Sequence, residues 1–262
     1  MKRTAFLVFG LSAYVLFLGV FLYAVGFVGN FLVPTRLDGD PAGPLGQALW
    51  IDLLLLGIFA AQHSGMARPA FKAWWTRFVP EPIERSMYVL VTNLAMVLLF
   101  WQWQPIGGTI WDVQQPAGRV LAYGLFASGW LIVLWTTFLI NHFDLFGLRQ
   151  VWFYFRGRPY APLGFMAPGP YRFVRHPMYI GWLLVFWSTP TMTAAHLLFA
   201  VGITAYILTA IYFEERDLVR LLGPSYADYR RRVPMLVPRL PRPTTEPQSV
   251  QPPLPHPADS AV

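Results

Sequence analysis

Apolar residues fall in long blocks along this chain, and most of the basic residues lie in the stretches between them. Four blocks run from Ala5 to Gly29, Leu45 to Gln62, Met87 to Trp103 and Val120 to Ile140. A helix needs about 20 residues to cross roughly 30 Å of hydrocarbon, within a usable range of about 17 to 25, so each block predicts one membrane-crossing helix. A fifth block, Met178 to Phe213, holds 36 residues around a turn marked by Ser188, Thr189, Pro190, Thr191 and Thr193. Two full crossings fit there only tightly, which predicts a helical hairpin with one arm short or re-entrant. The fold class is therefore all-α: a polytopic integral membrane helical bundle of four spans plus a carboxy-terminal helical hairpin, five to six spans in all. The first block is longer than a signal-peptide core and no polar mature domain follows it, so it reads as a retained span.

Composition agrees with the pattern, at 55% hydrophobic, 17% aromatic and only 13% charged residues among 262. Charge then orients the bundle. Of 20 lysines and arginines, 18 fall at the amino terminus, between the second and third blocks, between the fourth block and the hairpin, or after the hairpin. Only Arg36 and Arg119 lie on the other side. The positive-inside rule makes that majority side cytoplasmic, with both termini there and an even number of crossings. The net charge of +7 is thus accounted for by anionic lipid headgroups on the inner leaflet, with no nucleic acid as partner. The absence of cysteine excludes disulfides, thiolate metal sites and a cysteine nucleophile within the chain. No glycine-rich nucleotide loop occurs, and the loops Phe31 to Pro44 and Gln104 to Arg119 look like plain connections. Residues 1–240 form a single domain on this reading. Residues 241–262, with seven prolines, predict a disordered tail.

Certain polar residues sit where hydropathy does not favour them: Asp52, Gln62, His63, Asn93, Asn141, His142, His176, Glu214 and Glu215. Apart from Asp52, they fall at similar depth near the inner leaflet. Ionisable groups at the edge of a span tend to face a protein interior or a water-filled cavity, so shared depth predicts one pocket open to the cytoplasm. Bland readings stand beside this one: His63 as a helix cap, His142 bonded to a backbone carbonyl, Asp52 bonded within the bundle. Glu214 and Glu215 point about 100° apart on a helix, so one can meet an arginine while the other faces the cavity. His176 precedes Pro177 and is pushed out of helical geometry, which fixes it on an elbow. Histidine and carboxylate spacings give no metal site. The constellation suits a polar cofactor bearing both positive and negative groups.

The runs GPYRFVRHPMYIG, YFEERDL and GPSYADYRRRVPMLVPR, within residues 169–239, closely resemble the isoprenylcysteine carboxyl methyltransferase superfamily of integral membrane methyltransferases. The runs AAQHSGMARPAFKAWW, ERSMYVLVTNLAMVLLFWQWQPI and NHFDLFGLRQVW resemble its nurim and NnrU-like branch, which includes bacterial methanethiol S-methyltransferases. The resemblance implies S-adenosylmethionine as methyl donor, no metal, and a cofactor-binding part at 169–239. Tyr171, Arg175, His176, Pro177, Tyr179, Glu214 and Glu215 then map to the cofactor enclosure, with Tyr226, Tyr229 and Arg230 beside them. It further implies a small volatile thiol as substrate, a location in the bacterial inner membrane, and membrane lipids as the surroundings, with no obligate protein partner. His63 and His142 are the candidates to accept the thiol proton. Methylation of another lipophilic acceptor, such as a prenylcysteine carboxylate or a lipid amine, is the alternative chemistry. A noncatalytic nurim-like membrane protein is the alternative without any.

Overall fold

The computed structural model describes residues 1–41 and 43–238, so the proline-rich tail expected at 241–262 lies outside the described residues. Five long helices dominate: α1 (Lys2–Gly29), α2 (Leu45–Ala67), α4 (Glu81–Gln102), α5 (Pro116–Leu139) and α9 (Ala194–Leu222). All five are long and apolar enough to cross a membrane. Shorter helices are α3 (Pro69–Trp75), α6 (His142–Leu145), α7 (Leu148–Phe155), α8 (Pro177–Trp187) and α10 (Pro224–Arg232). Proline opens α3, α5, α8 and α10, where its missing N–H costs nothing and its fixed φ already suits a helix.

The polytopic helical bundle is as the hydropathy predicts, and the short arm of the hairpin is α8. Its 11 residues rise only about 16 Å at 1.5 Å per residue, well below the roughly 30 Å of hydrocarbon. Beyond Ser188 the chain continues into a strand, β2 (Thr191–Thr193), which pairs antiparallel with β1 (Thr109–Asp112) in the α4–α5 connection. That connection is therefore half of a two-stranded ribbon, which holds the hairpin turn at the same end of the bundle as the α4–α5 loop.

The same end is stapled by a polar cluster that hydropathy does not single out. His196, fully buried, faces Asp38 Oδ2 at 3.2 Å and the Phe186 carbonyl at 3.0 Å. Thr193 caps α9 by accepting from the His196 amide at 3.1 Å, and its hydroxyl donates to Asp38. Asn30, in the left-handed conformation that ends α1, accepts from the Asp38 amide at 2.8 Å. Asp52 bonds within the bundle, accepting from the Gln104 amide at 2.9 Å.

Packing at mid-bundle is closest between α5 and α8. A β-carbon on Gly129 would lie 2.7 Å from the Gly181 carbonyl oxygen, and one on Gly181 would lie 2.9 Å from that of Gly129. The two glycines let the backbones touch, and so fix where α8 and the elbow before it can stand. Asn93, buried in α4, donates to the Ala13 carbonyl at 3.2 Å and ties α4 to α1.

Candidate active site

At the end of the bundle opposite the ribbon, the chain before α8 folds against α9 and α10. His176, with φ −127° and ψ 61°, departs from helix as the following proline requires. Its amide donates to the Met235 carbonyl at 3.2 Å, and the Arg175 amide to that of Pro234 at 2.9 Å. Residues 234–235 therefore lie along the elbow and hold it rigid. Arg175 Nε donates to Glu215 Oε1 at 2.6 Å, and Nη1 to the carbonyls of Arg230, at 3.0 Å, and Val233. His176 Nε2 lies 2.9 Å from the same Glu215 oxygen. Glu215 is thus enclosed by its partners, with its side chain 10% exposed, while that of Glu214 is 42% exposed. Glu214 accepts from the Tyr179 hydroxyl at 3.0 Å.

The tyrosines divide in the same way. Tyr229 donates to the Tyr171 carbonyl at 2.6 Å, locking α10 under the elbow, and Phe165 sets its ring edge-on to both Tyr226 and Tyr229. Burial, reinforced by the charge of Glu214, raises the Tyr171 phenol above its ordinary range. Burial likewise pushes Tyr229 up to about 12, against the opposing pull of Arg175. These phenols are neutral donors at physiological pH. Pro177 is buried at the first turn of α8, and Arg230, exposed as a residue, meets the elbow through its carbonyl.

A second wall comes from α2, α4 and α9. The Tyr88 hydroxyl sits against the His63 ring, 3.0 Å from Nδ1 and 3.1 Å from Nε2. Phe59 stacks on the same imidazole at 5.3 Å, and the Tyr206 ring lies 6.4 Å away. Ser64 donates to the Tyr206 hydroxyl at 3.2 Å. Tyr206 and Glu214 both stand on α9, so that helix is common to this wall and the elbow. Gln62 donates to Thr92 at 3.3 Å while its own buried Oε1 has no donor. Arg68 and Asp217, paired at 2.9 Å, clasp the ends of α2 and α9 beside it. Tyr88 and Tyr206 are absent from the residues that sequence reasoning singles out. The available signal was spacing: Tyr206 precedes Glu214 by eight residues and Tyr88 precedes Thr92 by four, so each pair shares a helix face.

His142 stands apart from both walls. Its Nε2 lies 2.8 Å from the Tyr14 hydroxyl and its Nδ1 2.8 Å from that of Thr137, and Phe138 stacks on the ring at 4.3 Å. Burial holds this imidazole below its ordinary pKa range. His176 and the two glutamates meet at the elbow and His63 and Gln62 stand in the second wall, while Asn93 and His142 serve contacts with α1. Among the described residues, no group of three or more His, Asp or Glu side chains is placed to hold a metal ion.

Comparison with known proteins completes the description. The phospholipid methyltransferase family model matches residues 117–225, from α5 to the start of α10. A methanethiol S-methyltransferase of Mycobacterium tuberculosis is 56% identical over 238 residues, covering 91% of this chain and 98% of that protein. Another, from Crocosphaera subtropica, is 57% identical, covering 91% of this chain and 93% of the relative. Mouse nurim is 33% identical over 183 residues, or 66% of this chain and 69% of nurim. No solved structure matches the chain.

Proposed function

The chain belongs to the methanethiol S-methyltransferase family, and from that membership we propose that it methylates methanethiol with S-adenosylmethionine, giving dimethyl sulfide and S-adenosylhomocysteine. The observation that carries this reading is identity above one half along nine-tenths of the chain, with the site walls inside the aligned length. The donor set fits the cofactor. Glu214 presents a half-exposed carboxylate suited to an ammonium group, and Tyr171 and Tyr179 supply rings on which a sulfonium or an adenine can rest. Arg175 offers a carboxylate only the edge left free by Glu215 and the two carbonyls, so its first duty is to hold the elbow. When bound, S-adenosylmethionine supplies a methyl group already activated on sulfur.

The protein's own part is alignment, exclusion of water and removal of one proton. His63 is the group we assign to take the thiol proton: it stands in the wall that shares α9 with Glu214, and the Tyr88 hydroxyl fixes its ring. The donorless Oε1 of Gln62, one residue away, is an acceptor for S–H as the thiol enters. His142, with a hydroxyl on each nitrogen, has the weaker claim and acts in holding α1, α5 and α6 together. Residues 1–240 work as one transmembrane domain in the bacterial inner membrane, both termini cytoplasmic, with 169–239 enclosing the cofactor. A small thiol that partitions into lipid can reach such a site from the bilayer. Purified protein given S-adenosylmethionine and methanethiol should release dimethyl sulfide into the headspace. Methyl transfer to an isoprenylcysteine or to phosphatidylethanolamine in its place, with no dimethyl sulfide, would overturn the assignment.

A further inference from the structure

Among the described residues, four cations at the site end of the molecule, Lys2, Arg3, Arg156 and Arg158, make no ion pair. From Met1 to Leu37, and again from Leu145 to Phe213, the sequence contains no aspartate or glutamate. Yet the start of α1 and the end of α7 lie side by side there, with Phe6 stacked on Tyr154 at 5.3 Å. The head groups rest on aromatic faces: Lys2 over Phe6 at 5.7 Å, Arg3 over Tyr154 at 5.9 Å and Arg156 over Trp152 at 5.7 Å. At Gly157, whose φ of 65° favours glycine, the chain reverses, and the Arg158 amide donates to the Phe153 carbonyl at 2.9 Å. The reversal brings Arg158 back beside Arg156, and these two with Trp152 and Phe153 line a cleft of about 220 Å³. Arg3 reaches the same turn, its Nη1 lying 2.8 Å from where a β-carbon on Gly157 would stand. The ion pairs among the described residues all lie elsewhere.

Cations gathered without a counter-charge repel one another, and a bound anion offsets that cost. Packing the guanidinium faces on rings leaves their N–H edges free, which is the geometry that grips phosphate oxygens. Trp152, 48% exposed beside them, is the kind of side chain that settles at headgroup depth in a bilayer. A free phosphate has no use for that ring; a lipid does. We propose that this cleft binds the phosphate of one anionic phospholipid, seated between the start of α1 and the turn after α7, away from the methyl-transfer site.

Native mass spectrometry of the purified full chain in neutral detergent reads this directly, with phosphatidylglycerol, phosphatidylcholine and inorganic phosphate offered separately. Wild type should retain one phosphatidylglycerol in preference to phosphatidylcholine. The variant Arg156→Gln/Arg158→Gln should bind it about thirtyfold more weakly, on the scale of the attraction a membrane surface exerts on two basic residues. Arg77→Gln/Arg232→Gln, which removes the same charge elsewhere, should bind as wild type does. Equal retention of phosphatidylcholine, binding of inorganic phosphate as tight as that of the lipid, or equal loss in the control variant would each overturn the proposal. Monodisperse elution of each variant checks the fold. The readout does not involve methyl transfer, so it stands or falls apart from the assigned reaction.

Discussion

Adjacent glutamates on α9 sit in different surroundings because helical neighbours diverge by about 100°. Glu215 is the enclosed partner of Arg175 and His176, and Glu214 the half-exposed partner of Tyr179. Their loss should therefore read out differently. Glu214→Gln should weaken S-adenosylmethionine binding by about 10- to 100-fold, the worth of one hydrogen bond to a charged group, while leaving thermal unfolding in detergent nearly unchanged. Glu215→Ala strands the Arg175 guanidinium, leaves the His176 ring without its partner, and should lower stability by about 3 kcal/mol, as for other broken buried pairs. Calorimetric titration and thermal scans on the same preparations check both, and reversed effects would exchange the two roles. His142 makes a pH prediction. Burial favours its neutral form in the folded protein, so the unfolded chain binds the proton more readily. Its contribution is whole above the ordinary value of about 6.5 and is lost as pH falls from there through the folded pKa. Wild type should accordingly lose more thermal stability than His142→Gln between pH 7.5 and 5.5; an identical loss would remove burial of the neutral ring as the cause. The pairing of a glutamate with an arginine of the elbow was legible in the sequence from charge type and helix phase, which left Arg175 and Arg172 as equal candidates; the structure chooses Arg175. The Tyr88–His63 contact was not, because it joins helices whose mutual rotation no local pattern encodes.

At the level of elements, what hydropathy could foretell is length: a block of apolar residues is a one-dimensional property, and all five long helices were visible as such. The ribbon was not, because 78 residues intervene between β1 and β2 and each is too short to show a period. The hairpin's asymmetry was half visible, its 36 residues being tight for two crossings of about 20, but which arm is short depends on Pro177 and Ser188 bounding α8. The seam between α5 and α8 offers the sharpest test of this architecture. A β-carbon at residue 181 meets the Gly129 carbonyl oxygen at 2.9 Å and the Val133 amide nitrogen at 3.0 Å, backbone atoms of the facing helix that cannot yield, besides a Val133 methyl at 2.9 Å. Gly181→Val should force the helices apart, lowering stability by at least about 2 kcal/mol. Because the elbow is carried on α8, it should also weaken S-adenosylmethionine binding with no cofactor contact altered. Gly124→Val, where a β-carbon meets open space on α5, should do neither. Equal behaviour of the two variants would dissociate the seam from the site.

Over the whole molecule, the ribbon and the charge distribution together constrain topology. The start of α9 is tied through β2 to the α4–α5 connection and through His196 and Asp38 to the α1–α2 connection. These three segments therefore share one side. From that side α9 runs 29 residues, about 43 Å at 1.5 Å per residue, which exceeds the roughly 30 Å of hydrocarbon. Its far end lies with the elbow and α10 at the other end of the bundle, and the topology proposed above puts that end in the cytoplasm. The ribbon holds the hairpin turn level with the α4–α5 loop. The chain has no cysteine, so single cysteines can report each segment in intact cells with a thiol reagent that does not cross membranes. Asp40→Cys and Gln114→Cys should be labelled from outside. Arg77→Cys, Pro159→Cys and Arg232→Cys should be labelled only after the membrane is opened. Labelling of Arg232→Cys from outside, with Asp40→Cys labelled as expected, would put α10 on the wrong side and leave the positive charge behind it outside the cell. The elbow to which we assign S-adenosylmethionine could then no longer draw it from the cytoplasm.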